Sequence, residues 1–596
     1  MWDLSARIWD RSPPPVESEH ETSTVVTGDP EKTASPPRSD GADDTDSHDA
    51  IDKDLQDGVA RVEGITSVWS MNTLIVAYVF IYLIYVCNSL QQQLTGVFRP
   101  YVTSSFNLHS LTATTGIVSN LVSGLARLPL SKILDVWGRA EGFCIMVFML
   151  TLGLVMMAAC DSVETFCAAQ VFYWVGYTGI SYVLAVVISD TTTLRNRGLM
   201  FGIANTPFIF TTWAGGPAAA RFLEGPGWRW GFGSFAIITP IVYMSLPIVF
   251  WISTRKASAK GLIKPRAASG RTTLQSIWFY TVELDLFGLL LICAGLSLFL
   301  LPASIYSYQE KQWESPLIIC FLVFGILTLI LFGVWEKFFA PKCFLPMGML
   351  FDRTVFGSCI YAALQFCSFY FWNSFFYSFL IVVNNQTITH ASYITNIYSI
   401  GSCFWAVIVG LLIRYTGRFK WLPLYFGCPI SVLGVALMVV FRQPNVNIGF
   451  IIMCQIFIAF GGGTTVIVQQ LAATAAVDHS EVAVVLAIQY AFANVGGAIG
   501  QSLASAIWTG VMPDRLAKYL PEESIGNISS IYGDMTVQSS YPVGSPTRDA
   551  IMRAYGDAQR YMLIGGACFL AVGWFFILIW RDISVRHNKQ TKGTVL

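Results

Sequence analysis

The chain has 596 residues, 54% of them apolar, 14% aromatic and only 12% charged, with 37 basic and 37 acidic side chains. Soluble proteins carry about 25% charge, so this is an integral membrane protein, and zero net charge without a basic run argues against a nucleic-acid partner. Six scattered histidines and thirteen cysteines without C-x-x-C spacing suggest no metal centre and no cofactor.

Residues 1–63 hold sixteen Asp or Glu against six Lys or Arg, with Pro13 to Pro15, Pro36 and Pro37, and no apolar periodicity. This composition predicts a disordered acidic tail. From Met71 onward, fourteen apolar runs approach the roughly 20 residues that a bilayer requires. They centre on 72–93, 108–130, 142–161, 166–189, 199–219, 232–252, 284–303, 316–335, 354–379, 391–414, 421–441, 447–470, 481–508 and 561–580. The expected fold is therefore all-α, with both termini on one side.

Basic residues are retained in the cytoplasm. With the N-terminus inside, the inner loops and tail carry twenty Lys or Arg, six of them between Arg255 and Arg271, while the short outer loops carry five. Both N-x-S/T sequons, at Asn385 and Asn527, then fall outside and are candidate glycosylation sites. Cys160 and Cys167 flank a short outer loop where a disulfide is conceivable, with free thiols the favoured reading. The outer connection 511–560 is long and carries Tyr541 and Tyr555, and loops of such length are usually functional or disordered; we expect a substrate lid.

The turn Ser131-Lys-Ile-Leu-Asp-Val-Trp-Gly-Arg139 recurs 279 residues later at Gly410-Leu-Leu-Ile-Arg-Tyr-Thr-Gly-Arg418. A turn repeated at long interval marks a duplicated unit. It joins the second and third helices in one place and the tenth and eleventh in the other, so the seventh and eighth are an insertion between six-helix halves. The expected segments are a tail 1–63, a first half 64–253, a basic loop 254–283, inserted helices within 284–335, a second half 336–582 and a tail 583–596.

The Ser131 to Arg139 turn resembles the inner-loop motif of the major facilitator superfamily, G-x-L-x-D-R-x-G-R, and fourteen helices with a central pair is one of its layouts. The resemblance implies that helices one, four, nine and twelve line the substrate cavity. On single faces of these helices stand Asn88 and Gln92, Trp174 and Tyr177, and Gln365, Phe369 and Trp372. With Tyr541 and Tyr555 of the outer connection they form the expected substrate site: large, aromatic, amide-rich and nearly uncharged. Such a site suits a bulky neutral solute rich in carbonyls and does not suit a dicarboxylate or bare metal ion.

Further stretches are similar to the fungal siderophore-iron transporters: Gln91-Gln-Gln93 with Arg99-Pro-Tyr-Val-Thr-Ser-Ser-Phe106, Asp135-Val-Trp-Gly-Arg-Ala-Glu-Gly142, Asp190 with Arg195 and Arg197, Asn494-Val-Gly-Gly-Ala-Ile-Gly-Gln501, and Tyr541-Pro-Val-Gly-Ser545. That resemblance implies uptake of ferric siderophores, mostly hydroxamates, driven by protons, at the plasma membrane or in endosomes. Iron then travels inside its chelate, so the protein requires no metal ligands of its own, and a monomer suffices. As a hypothesis of mechanism we expect Asp135, Gly138, Arg139 and Arg418 to act at the inner gate, and Asp190, an acid near the membrane pathway, to carry the proton unless it pairs with Arg195 or Arg197. Ser131 stands where the motif has Gly, and Arg414 stands opposite Asp135, so the first half is expected to hold the stronger latch.

Two alternatives stay open. A fourteen-helix drug:proton antiporter shares the layout, but Phe172 stands where antiporters carry Arg and the fifth helix ends Gly215-Gly-Pro-Ala-Ala-Ala220 rather than G-P-x-x-G-G. A non-transporting iron receptor would require a larger cytoplasmic domain. No nucleophile, histidine and acid arrangement or phosphate loop is visible, so an enzyme is not expected.

Overall fold

A computed structural model describes residues 65, 68–105, 112–261, 272–306, 309, 311–340, 347–478 and 481–585. The expected acidic tail 1–63 and most of 583–596 lie outside these residues. Among those described, secondary structure is helical apart from one isolated bridge between Arg418 and Ser584.

Helices are numbered in chain order: α1 Met71–Ser105, α2 Thr112–Leu125 continued by Arg127–Val136, α3 Arg139–Ala159, α4 Val163–Thr191, and α5 Leu194–Ala204 with Pro207–Glu224. Then come α6 Trp228–Tyr243 with Ser245–Ala259, α7 Leu286–Leu300, α8 Pro316–Val334, and α9 Arg353–Asn373 with Phe376–Val382. Finally there are α10 Ile397–Thr416, α11 Cys428–Phe441, α12 Ile448–Ala475, α13 Val482–Tyr519 and α14 Pro546–Leu578. Among the described residues, twelve helices are long and apolar enough to cross a membrane, or thirteen if the bent pair Leu274–Glu283 and Leu286–Leu300 is one span. The remaining expected span, 199–219, corresponds to α5, interrupted at Asn205 and Thr206. Asn205 Nδ2 donates to the Phe201 carbonyl and Thr206 Oγ1 to that of Ile203, at 2.8 and 2.7 Å, and Pro207 lacks the amide that would continue the ladder.

Local chemistry explains several helix ends. Asp352, Asn447 and Ser545 accept backbone amide bonds at the starts of α9, α12 and α14. Gly417 ends α10 at φ 73°, and its counterpart Gly138 precedes α3 at φ 119°. Both copies of the repeated turn thus use a glycine in backbone space that other residues avoid.

We call the end carrying these turns the motif end and the opposite one the loop end. Each half has its own apolar core, but the first core also takes in Ala406, Ile467 and the run Val485 to Ile488 from the second half. These lie toward the motif end, so the halves are fused there. On one side of the seam α5 meets α10 through small residues: a Cβ on Gly410 would lie 2.6 Å from Leu199 Cα, and one on Gly202 would lie 3.0 Å from the Ala406 carbonyl carbon. On the other, α2 meets α13, where a Cβ on Gly124 would overlap that of Asn494.

Of the inserted pair, α7 lies on the seam itself, its Leu300 clustered with Ile117 and Leu121 of α2 and Ala498 of α13. Ser502 of α13 donates to the Leu300 carbonyl at 2.9 Å. α8 packs on α7 through Gly325, whose Cβ would meet Phe299 N at 2.8 Å, and presents Phe324, Leu327 and Ile330 outward. Asp285, at φ 43°, caps α7 and accepts from Trp335 Nε1 at 2.9 Å, and Lys132 of the first turn donates to the Glu283 carbonyl at 3.1 Å.

The expected outer loop 511–560 is shorter than its sequence suggested, because α13 runs to Tyr519 and α14 begins at Pro546. Pro513 did not end the helix, and the sequence carries no apolar run to announce these polar extensions. The remainder folds into short helices Glu522–Ile525, Ile528–Gly533 and Met535–Ser540 around Arg548, which is buried and donates to the carbonyls of Gln538 and Tyr541.

Candidate functional site: a cavity between the halves

At the loop end the halves part around a cavity of about 520 Å³, within the range of small-molecule sites. Its wall comes from α1, α9, the start of α10, α13 and the connection after α13, which contributes Tyr532 and Gly533. Among the described residues, none from the expected helices four and twelve lines it.

The aromatic side of the wall is built at a break in α9. After Asn373 the helix stops and restarts at Phe376, with Phe375 between at φ 58°, a strained backbone for a bulky side chain. Buried Arg442, the cap that follows α11, holds this geometry: Nη1 donates to the Trp372 carbonyl at 2.6 Å, and the guanidinium lies 4.3 Å from the Phe376 ring centroid. A cation at a helix C-terminus is favourable. The break turns Phe375 onto Trp508 of α13, stacked at 4.1 Å, and Tyr555 backs Trp508 edge-on at 5.0 Å. Phe369, Trp372 and Tyr398 form a second cluster with centroids 5.0 to 5.5 Å apart.

Of the residues expected at the site, Gln92, Phe369 and Trp372 line the cavity. The others are placed elsewhere. Asn88 is buried and engaged inside the first half: its Oδ1 accepts from Tyr243 at 3.0 Å and its Nδ2 donates to Ser181 at 3.2 Å. Tyr177 donates to Gln92 Oε1 at 2.9 Å, bracing that amide from behind, and Trp174 donates to Gln170 of its own helix at 3.0 Å. Gln365, one turn below Phe369, donates to Thr465 at 2.8 Å. Buried polar side chains pair with one another, and periodicity alone does not distinguish a face aimed at a neighbouring helix from one aimed at a cavity. Tyr555 donates to Gln538 Oε1 at 2.7 Å beneath the wall, and Tyr541 lies on the connection outside the lining. The tyrosine that this connection does bring to the cavity is Tyr532.

Sequence reasoning gave no role to Phe375, Tyr398, Trp508 or Arg442. Arg99 and Gln501 stand in quoted stretches of family likeness, which was the available signal for them.

At the motif end, Arg139 and Asp190 form an ion pair at 3.1 Å, with side chains only 4% and 5% exposed. It ties the start of α3 to the end of α4, and fully buried Arg197 lies within electrostatic range of the same carboxylate. Asp190 is thus committed to holding two helices. The Asp135 side chain lies outside the described residues. In the second turn Arg418 pairs with Asp582 at 3.2 Å but is 66% exposed. Arg195 crosses the seam to the Arg414 carbonyl at 3.1 Å. Asn385 and Asn527 are exposed at the loop end, and the thiols of Cys160 and Cys167 are free. Among the described residues no group of His, Cys, Asp and Glu has a metal-binding arrangement.

Comparison with known proteins places this geometry. The family model of the Major Facilitator Superfamily matches residues 81–501. A protein of Ajellomyces capsulatus named MFS siderochrome iron transporter 1 is 57% identical over 93% of this chain and 94% of its own length. The siderophore iron transporter mirB of Emericella nidulans is 40% identical over 100% and 97%. Among solved structures, an inward-facing bacterial homologue of the human lysosomal transporter Spinster aligns with TM-score 0.52 at 14% identity, covering 86% of this chain and 97% of that one. The human organic anion transporter MFSD10 aligns at 0.51 with 10% identity, over 84% and 99%. At such identities these two structures share the fold alone.

Proposed function

The chain belongs to the fungal siderophore-iron transporter family of the Major Facilitator Superfamily, and on that footing we propose that it takes up ferric siderophores of the hydroxamate class by alternating access, with protons as the coupling ion. The motif end faces the cytoplasm, as the excess of basic residues there requires, and the cavity faces outward. The observation that carries the reading is the cavity wall: aromatic faces for the apolar rim of a chelate, amides such as Gln92, Asn396 and Gln501 and hydroxyls such as Ser399 and Thr509 for its polar groups, and no carboxylate among the described lining residues. Iron held in six oxygen ligands of its own needs this kind of surface and no protein ligands.

Rocking of the halves opens the motif end, where they now meet through small residues and a few hydrogen bonds, and closes the loop end over the chelate. The test is growth of an iron-starved, uptake-deficient yeast expressing the chain and offered one purified ferric siderophore at a time. Rescue by at least one, with accumulation of radio-iron that a proton uncoupler abolishes, is the expected result. Rescue by none, together with altered drug resistance, overturns uptake in favour of antiport.

Trp508 is the stacked centre of the wall. Trp508→Ala is expected to weaken chelate binding by about 2 kcal/mol, roughly thirtyfold in Kd, as loss of a central aromatic anchor does. Fluorescence titration of the purified protein measures it, and a Kd within twofold of the parent would remove Trp508 from the site.

A further inference from the structure

We propose that Gln538 is a positioning residue for the chelate site: from behind the cavity wall, one buried amide sets where Tyr532 stands and braces the aromatic stack. The proposal rests on the uptake reading for the kind of ligand, a ferric hydroxamate.

Gln538 lies on the short helix Met535–Ser540 and is buried. Both ends of its amide are used: Nε2 donates to the Ile531 carbonyl at 2.6 Å, and Oε1 accepts from the Tyr555 hydroxyl at 2.7 Å. Its backbone carbonyl accepts from Arg548 Nη1, which also donates to the Tyr541 carbonyl at 3.4 Å. The first of these bonds bears on the cavity. Ile531 is joined by one peptide to Tyr532, and Tyr532 and Gly533 are what the connection contributes to the wall. Because a peptide is planar, fixing the Ile531 carbonyl fixes the orientation in which the chain enters Tyr532. The Ile531 side chain is itself buried in the core of the second half, so this point of the connection is held twice. The second bond bears on the stack: Tyr555 gives its hydroxyl to Gln538 and its ring edge to Trp508 at 5.0 Å.

Local propensity does not supply this order. Between Tyr519 and Pro546 the chain forms helices of four, six and six residues, far below the roughly 12–15 at which a helix becomes marginally stable alone. The helix carrying Tyr532 ends at Gly533, and Asp534 is extended at φ −139° before the helix carrying Gln538 begins. Gln538 Nε2 reaches back seven residues across that corner. Leaving such a buried bond unmade is costly, since no water replaces the lost partner. Arg548 and Tyr555 stand on α14 and Trp508 on α13, so the anchors belong to the second half. Tyr532 therefore travels with that half as the halves rock, while Gln92 of α1 lines the same cavity from the first. A ring placed before the ligand arrives makes its contact without a cost of ordering. Loss of the hold is thus felt in affinity and not in the turnover of loaded protein.

The test titrates one linear ferric trihydroxamate against purified full-length protein in lipid nanodiscs, for the parent, Gln538→Leu, Tyr532→Ala and the double variant. Radio-iron uptake against concentration is followed in the yeast above for the parent and Gln538→Leu. Gln538→Leu is expected to weaken binding about tenfold, and in the Tyr532→Ala background to cost less than about threefold, because residues that act through one another are not additive. Half-saturation of uptake should rise with the Kd, while uptake at saturation, per copy at the surface, stays within about twofold of the parent. Gln538→Glu keeps the acceptor for Tyr555 and loses the donor to Ile531. If Gln538→Leu shows no cooperative melting, Gln538→Glu decides by the same comparison. Binding within about twofold of the parent, an equal cost in the two backgrounds, or a loss confined to uptake at saturation overturns the proposal. If the parent binds the ferric complex and the coupling to Tyr532 is absent, this proposal alone falls; coupled binding without cellular uptake defeats the uptake reading alone.

Discussion

Gly410→Leu is expected to cut uptake at least about tenfold while the protein reaches the membrane in normal amounts. A Cβ at this position would stand 2.6 Å from Leu199 Cα, 2.8 Å from Leu199 N and 3.0 Å from Gly198 C, all backbone atoms that cannot swing aside. Gly198 and Gly202 on α5 face Ala406 and Gly410 on α10, small residues at four-residue spacing on both helices, an arrangement that lets membrane helices touch along their backbones. Overpacking a close contact costs about 1–3 kcal/mol. In a rocking transporter only the state closed at the motif end bears that cost, so the ratio of outward- to inward-facing protein falls by about five- to 150-fold. Binding of chelate from outside intact cells, compared with surface protein, measures the shift. Gly333→Leu on α8, where a side chain would meet nothing within 4 Å, is the matched control and should be silent. Parent-like uptake by Gly410→Leu would mean that the two helices do not need this approach during the cycle.

The second large effect concerns the latch. Asp190→Asn leaves Arg139 and Arg197 buried beside a neutral amide, and stranding a buried charge costs about 3–5 kcal/mol. We expect a melting temperature several degrees lower in lipid or detergent, with reduced uptake. Adding Arg139→Met to Asp190→Asn should recover part of the loss, because one stranded guanidinium is then gone. Arg418→Ala, by contrast, removes a pair exposed to water and should cost less than about 1 kcal/mol. If Asp190→Asn and Arg418→Ala were equally mild, the burial difference between the two turns would carry no energetic weight.

The repeated turn was the most legible feature of the sequence. From it we expect two halves, an inserted pair and a stronger first latch, the last because Arg414 stands opposite Asp135; that Arg139 pairs with Asp190 is seen only in three dimensions. The spans were legible because an uncharged apolar run of bilayer length is rarely buried anywhere but in a membrane. The site was half legible. Gln92, Phe369 and Trp372 were found because they stand on a periodic face that does meet the cavity. Asn88, Tyr177 and Gln365 stand on equally periodic faces whose hydrogen-bond partners, Ser181, Gln92 and Thr465, lie on other helices, and no one-dimensional pattern records that pairing. Phe375 and Trp508 were beyond reach for a related reason: the helix break that brings them together depends on Arg442, some seventy residues away.

The placement of α7 has a consequence for how the surrounding lipid acts on the transporter. The two halves meet along two flanks, and α7 with α8 behind it covers the flank formed by α2 and α13. Among the described residues no helix covers the flank formed by α5 and α10, where Trp213 and Phe404 face outward. If the halves rock as proposed, lipid would reach the joint from the α5 and α10 side. A change in bilayer composition would then bear on that motion through α5 and α10, while on the opposite side α7 and α8 stand in for lipid.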